Sequence, residues 1–283
     1  MTVYPDFYPR FACRAGACKH SCCRGWEIDV DADSRRLYEA VPGPLGEKLR
    51  ASMADEGEGA HFLLTQDERC PFLQSDGLCE LICKLGEEAL CDICAEHPRF
   101  YLELGEHMLC GLGLSCEAAC ALLLADAGPL RFVAEESGET LSLSRLLGQP
   151  EASFSFSPRP EPGRLKQMLA FFSRTEPIDA AWPKLLRQLE GALSELTEAA
   201  RARLGVCSGA VYDRIGGYIL YRQLDRLPEY GLDTLRAYAA LCVDFVFLCE
   251  TFSGDLAESL RRWSEQIEYS TENPELLLRA VRG

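Results

Sequence analysis

Cys13-Arg-Ala-Gly-Ala-Cys18-Lys-His-Ser-Cys22-Cys23-Arg-Gly-Trp26 opens a series of five cysteine groups whose reading decides how the first part of the chain folds. The others are Cys70-Pro-Phe-Leu73, Gly77-Leu-Cys79, Cys91-Asp-Ile-Cys94-Ala-Glu-His97-Pro98-Arg99 and Leu114-Ser-Cys116-Glu117. Thiolates are soft ligands suited to zinc and to iron–sulfur clusters, and each such centre needs about four of them. Groups dispersed along the chain let several loops converge on one centre. A single C-x-x-C, such as Cys91 with Cys94, is weak by itself, because it also fits a redox dithiol. Structural zinc commonly shows paired C-x-x-C motifs or C-x-x-C with spaced histidines, and that pairing is missing here. The spacing therefore favours an iron–sulfur cluster, with zinc as the alternative.

The chain has 283 residues and 15 cysteines, 12 of them before residue 121, so its two halves are chemically different. At 47% hydrophobic and 26% charged, it has the composition of a globular protein with room for one large domain or two smaller ones. No window approaches the length of a membrane-spanning apolar run, and the N-terminus lacks the basic start and apolar stretch of a secretory signal. The expected compartment is the cytoplasm. There a dense cysteine pattern points to metal or redox chemistry rather than to a disulfide framework, and an odd total cannot pair completely. The net charge of −15 disfavours nucleic acid and anionic membranes as partners. It suits a lysine-bearing protein substrate, although acidity also serves solubility alone.

Three regions follow from composition: residues 1–125, cysteine-rich and metal-binding; residues 126–163, a hairpin followed by a Pro- and Ser-rich linker; and residues 164–283, helical. The expected fold class is mainly α, of the α+β kind, with short hairpins in the first region and an all-α bundle of five or six helices in the last. In the first region, helices are expected over 33–41, capped by Asp33, and over 45–54, followed by an exposed loop at 55–59. Extended segments are expected at 61–65 and 70–73 with a turn at 74–77, and a hairpin around Gly105-Glu106. Ser115 is the expected cap of the next helix. A second hairpin is expected around Ser137-Gly138, and the prolines at 158, 160 and 162 mark the linker. Leu185, Leu186, Leu189, Leu193 and Leu196 form a stripe at helical spacing. Further helices are expected over 212–224, 234–251 and 255–267, and Asn273-Pro274-Glu275 reads as a helix start.

The ordered series of motifs resembles the flagellin lysine-N-methylase family of bacterial cysteine-cluster proteins. It has C-x4-C-x3-C-C-x-G-W, C-P-F-L with a following G-L-C, Leu85-Gly86-Glu87 ahead of a cysteine followed by His97-Pro98-Arg99, and Leu114-Ser-Cys116 with an acid behind it. The resemblance covers about residues 4–125 and extends faintly to Tyr218-Ile-Leu-Tyr221-Arg222. It implies methyl transfer from S-adenosylmethionine to the ε-amine of flagellin lysines, by a protein that also holds an iron–sulfur cluster of the four-iron type. The ligands it implies are Cys13, Cys18, Cys22, Cys23, Cys70, Cys79, Cys94 and Cys116. Cys91 stands where many members have serine. Cys83, Cys91, Cys110 and Cys120 fall outside the implied set, and for them a small buried side chain with an inert thiol is at least as good a reading as a ligand.

Amine methylation needs a neutral lysine and an in-line approach to the sulfonium methyl, and no iron. The C-x3-C-x2-C spacing of radical enzymes is absent, so the cluster is expected to be structural or redox-sensing. Gly111-Leu-Gly113 is only G-x-G and reads as a bend after the hairpin rather than a cofactor loop. His97 is expected to hydrogen-bond beside the metal, Arg99 to neutralise charge there or pair with an acid, and Trp26 to pack over the cysteine loops. Tyr218, Tyr221 and Arg222 share a helix face and are expected to pack between elements.

Overall fold

The computed structural model describes every residue except 57, 58, 127, 151 and 283. The chain divides into two compact units, Ala12–Pro98 and the discontinuous Met1–Phe11 with Arg99–Gly283. The division thus falls at Phe11 and Pro98 rather than at the composition shift near residue 125. The first short strand and the 99–112 hairpin bury apolar side chains in the same core as the C-terminal helices, and this shared core sets the boundary. The fold is mixed α+β with a helical C-terminal part.

In the discontinuous unit, β1 (Thr2–Pro5) is the middle strand of a five-stranded sheet. The cysteine unit supplies β2 (Ile28–Val30), β3 (Met53–Glu56) and β4 (Gly59–Phe62), described below. β5 (Arg99–Leu104) and β6 (His107–Leu112) form the expected hairpin around Gly105-Glu106. β6 also runs parallel to β1, while β7 (Phe132–Ala134) pairs antiparallel with β1 on its other side. β8 (Thr140–Leu141) closes the second expected hairpin. Gly111 lies within β6, where a Cβ would strike the Phe100 ring and the Tyr218 hydroxyl. It is a close-approach glycine inside a strand and not a bend.

The cysteine unit carries α1 (Ala32–Ala40), α2 (Gly43–Ala51), α3 (Glu80–Leu85) and α4 (Asp92–Glu96) around the sheet β2-β4-β3. The N-cap of α1 is Asp31 and not Asp33: its carboxylate accepts from the N–H groups of Asp33 and Ser34 at 3.1 and 2.8 Å. The second helix ends at Ala51, because residues 53–56 pair with 59–62 as β3 and β4. The stretch expected as a loop is therefore largely strand; its tip, residues 57 and 58, lies outside the described residues. The 74–77 turn is present, with Gly77 N–H donating to Gln74 O at 3.1 Å and a bridge from Leu73 to Cys79.

The discontinuous unit continues with α5 (Glu117–Ala125), whose N-cap position is Cys116 rather than Ser115, and α6 (Leu143–Leu147). Residues 152–161 have no regular structure, yet Ala152 is buried and the Phe156 ring stacks on Tyr212 at 4.4 Å. The linker expected there is a strap held to the core by its aromatic side chains. Seven helices follow among the described residues, more than the five or six expected: α7 (Pro162–Phe172), α8 (Ala181–Gly191), α9 (Leu193–Leu204), α10 (Gly209–Tyr221), α11 (Leu227–Ser253), α12 (Leu256–Glu268) and α13 (Glu272–Arg282). The leucine stripe spans α8 and α9, which break at Ala192, so one apolar face serves two helices. α11 turns at Gly231, whose φ of +73° a side chain would resist. α12 is entered at Asp255, which accepts from Glu258 N–H at 3.0 Å. At α13 the capping hydroxyl is Ser270. Asn273 is buried inside and donates to Gln266 O at 2.9 Å and to Glu176 O at 3.0 Å.

Tyr218, Tyr221 and Arg222 on α10 tie this helix to the sheet. The Tyr218 hydroxyl accepts from Leu112 N–H at 2.6 Å and donates to its carbonyl at 2.7 Å, and the Tyr221 hydroxyl lies 2.8 Å from Val3 O. Arg222 lies over the Phe100 ring and pairs with Glu268 at 2.6 Å. Among the described residues no helix is long and apolar enough to cross a membrane.

Candidate metal centre

The cysteine unit has its own small core of Ile28, Val30, Tyr38, Leu49, Phe62, Phe72 and Leu81. Five thiols gather in it. Cys70 and Cys91 are buried members, and Cys23, Cys79 and Cys94 pack against it partly exposed. Each arrives on a different local feature. Cys70 follows the bridge between Arg24 and Arg69, and its N–H donates to Cys23 O at 2.8 Å. Cys79 is the N-cap residue of α3, with the N–H of Glu80 donating to Phe72 O at 2.8 Å. Cys91 is the N-cap residue of α4, and Cys94 sits in that helix with its N–H on Cys91 O at 2.9 Å.

Asp31 holds the two helix starts together. Besides capping α1 it accepts from Asp92 N–H at 2.9 Å. Burial acts to raise its carboxyl, but the N–H bonds from Ser34 and Asp92 outweigh burial and lower it below the usual carboxylate range. The Tyr38 hydroxyl donates to Ala89 O at 2.7 Å, which fixes the turn before Cys91.

The thiols differ in acidity. The hydrogen bond with Cys22 outweighs burial and holds the Cys23 thiol down at about 7, with Ser21 assisting. Burial pushes Cys70 up to about 12, with the neighbouring Cys23, Cys79 and Cys91 adding to it. Burial also raises Cys79. Cys91 is lowered by a hydrogen bond from Cys94, and the same bond together with burial raises Cys94. Two thiols, Cys23 and Cys91, are thus lowered beside three, Cys70, Cys79 and Cys94, that are raised.

The sequence-derived ligands separate in the structure. Cys23, Cys70, Cys79 and Cys94 are brought together, with Cys22 hydrogen-bonded to Cys23. Cys13 and Cys18 lie on the exposed 13–24 segment, where the Cys13 sulfur accepts from Ala15 N–H at 3.3 Å. Cys116 belongs to the discontinuous unit, where it starts α5 and packs against that unit's core. Cys91, read from the sequence as a bystander, belongs to the gathering; its C-x-x-C spacing to Cys94 was the signal. Cys83 is exposed, whereas Cys110 and Cys120 are buried in the discontinuous unit, and the Cys120 thiol donates to Leu114 O at 2.7 Å.

Thiols are the donors a thiophilic metal prefers, and five of them pack in or against one apolar core. As placed, no group of three or more His, Cys, Asp or Glu side chains among the described residues could hold a metal ion. Around the basin, Trp26 covers the loop as expected, its indole N–H donating to Cys22 O at 2.5 Å and its ring 6.2 Å from that of His97. Burial pushes His97 down to about 4, so its ring is neutral near pH 7. Arg99 opens β5 in the other unit and lies 5.4 Å from the Phe11 ring.

No family model and no solved structure matches the chain. It is similar to a protein named flagellar biosynthetic protein FliU from Salmonella muenchen, with 26% identity over 160 residues, 53% of this chain and 93% of that protein. It is also similar to proteins named lysine-N-methylase from Salmonella typhimurium and Salmonella choleraesuis, each with 28% identity over 131 residues. Those matches cover 43% of this chain and 32% of each lysine-N-methylase, so the chain spans about a third of their length.

Proposed function

We propose that the protein transfers a methyl group from S-adenosylmethionine to lysine ε-amines of flagellin, and that the thiol basin holds an iron–sulfur cluster. The observation that carries the reading is the similarity to proteins named lysine-N-methylase and FliU. The gathering of Cys23, Cys70, Cys79, Cys91 and Cys94 supports the metal part, with these five as the thiols that would meet the cluster. The net charge of −15 favours approach of a lysine-rich protein surface.

In the reaction, the lone pair of a neutral lysine amine attacks the sulfonium methyl carbon. The carbon–sulfur bond breaks toward S-adenosylhomocysteine, and the amine proton passes to a base or to water. No electron is exchanged, so a bound cluster serves as a scaffold or a redox sensor. The second reading is a non-enzymatic iron–sulfur or zinc module, for which the thiol basin alone suffices.

Anaerobically purified protein separates the two readings. Saturable S-adenosylmethionine binding and labelled methyl transfer to flagellin lysines are expected, with equal iron and sulfide in the preparation. Stable metal loading without cofactor binding or transfer would establish the module reading instead, and zinc without sulfide would replace the cluster.

A further inference from the structure

A cleft of the cysteine unit lies outside the thiol basin. It has a volume of about 140 Å³ and opens between the 15–24 segment and the 69–77 turn, lined by Lys19, Arg24 and Arg69 with Ser21, Gln74 and Ser75. Of the cysteines only Cys18 reaches it. Its walls depend on two glycines in contact: Gly77 has a φ of +82°, and a Cβ on it would meet the Gly16 Cα at 2.9 Å.

Three cations in one cleft of a chain with 44 acidic and 29 basic residues run against the composition. Arg24 and Arg69 also stand directly opposite each other in an antiparallel bridge, where like charges repel. Among the described residues no carboxylate lies within ion-pair distance of Lys19, Arg24 or Arg69. The nearby Asp76 carboxylate is turned to the Leu78 N–H at 3.0 Å. Arg69 reaches the carbonyls of Leu73 and Gln74 at 3.4 and 3.3 Å, long bonds that orient the guanidinium without neutralising it. The Ser21 hydroxyl oxygen accepts from Cys23 N–H at 3.2 Å, which fixes this residue at the cleft wall.

We propose that this cleft is an oxyanion-binding site, in which Arg24, Arg69 and Lys19 take the phosphate or carboxylate group of a small molecule, with Ser75 as a hydroxyl donor. An anion between the two guanidiniums turns their repulsion into paired, charge-assisted hydrogen bonds, the fork geometry for which arginine is suited. The polar rim and the open mouth fit the charged end of a ligand whose remainder extends outward. The site stands apart from the methyl-transfer reading, because binding alone reports on it.

The test is calorimetric titration of the protein with inorganic phosphate and, separately, with S-adenosylmethionine, whose methionyl end carries a carboxylate. Wild type is expected to bind at least one of them, and more weakly as salt is added. Arg69→Gln and Arg24→Gln are expected to weaken that binding about tenfold or more, the loss of a charged hydrogen bond, with Arg→Lys variants in between. Competition between the two probes marks the carboxylate as the natural group, and phosphate binding indifferent to S-adenosylmethionine marks a phosphate-bearing ligand. Exposed Lys19→Gln is expected to weaken binding as well, and decides the matter where an arginine variant fails to fold. Absence of binding by either probe to wild type overturns the proposal. So does unchanged binding in the glutamine variants, including the case in which they lose only iron because the cations serve a nearby cluster.

Discussion

The backbone N–H of Cys70 donates to the carbonyl of Cys23 at 2.8 Å, joining the first and second cysteine motifs next to the bridge between Arg24 and Arg69. One strand crossing therefore places two thiols of opposite character side by side, Cys23 held down at about 7 and Cys70 pushed up to about 12. The same crossing sets two guanidiniums against each other in the cleft.

The difference in acidity is visible chemically. In metal-free protein at about pH 8, iodoacetamide is expected to modify Cys23 well before Cys70, because only the thiolate attacks. Peptide mass spectrometry after timed quenching gives the order. The Cys23 rate should rise through pH of about 7, below the ordinary thiol value of 9.0. A folded-state value lowered in this way contributes stability that is present above pH 9.0 and lost as pH falls through about 7. Equal labelling of the two thiols would contradict the assignment.

Metal loading is expected to follow the basin. Serine at Cys23, Cys70, Cys79 or Cys94 should reduce the iron content of anaerobically purified protein, and Cys91→Ser should do the same. Serine at Cys110 or Cys120, both buried in the other unit, should leave iron unchanged. Iron retained in all five basin variants would mean that the ligands lie elsewhere.

Asp244 on α11 predicts a pH effect of opposite sign to that of Cys23. Burial pushes its carboxyl up to about 7, and Arg164 only partly offsets this. A raised carboxyl contributes stability below the unfolded value of 3.8 that is lost as pH climbs through about 7. Asp244→Asn should therefore raise the unfolding midpoint at about pH 8 and change it little near pH 4. Thermal unfolding across that range tests it, and an equal shift at both ends would show that titration is not the cause.

Tyr218→Phe removes one hydroxyl and leaves both the N–H and the carbonyl of buried Leu112 without it. Arg222 still reaches that carbonyl at 3.3 Å, so the N–H is the larger loss. A destabilisation of about 1–3 kcal/mol is expected in urea unfolding, the cost of an unsatisfied buried group.

Gly216 in α10 reverses the usual helix rule. Alanine in place of a helical glycine ordinarily stabilises by about 0.5–1 kcal/mol. Here a Cβ would run into the Phe154 ring of the strap, so a net loss of about 1–3 kcal/mol is expected from overpacking. Phe154→Ala should relieve that clash, and a double-mutant cycle reads the coupling.

Features carried by neighbouring residues were legible in the sequence. The 99–112 hairpin, the turn at 74–77, the entry to α12 at Asp255 and the helical second half each rest on short-range backbone preferences or on a repeating apolar stripe. Near misses stayed local too: Asp31 caps α1 in place of Asp33, and Ser270 serves α13 in place of Asn273.

Which thiols meet was decided only by tertiary structure. Cys91 joins Cys23, Cys70, Cys79 and Cys94 because Asp31 draws the starts of α1 and α4 together, and Cys116 falls in the other unit because α5 buries its apolar face there. The same long-range pairing set Arg24 opposite Arg69 and ran the unit boundary through Phe11 and Pro98. Composition and periodicity report what one segment prefers; burial and strand pairing between distant segments determine which side chains share a site, and their energies belong to no single stretch of sequence.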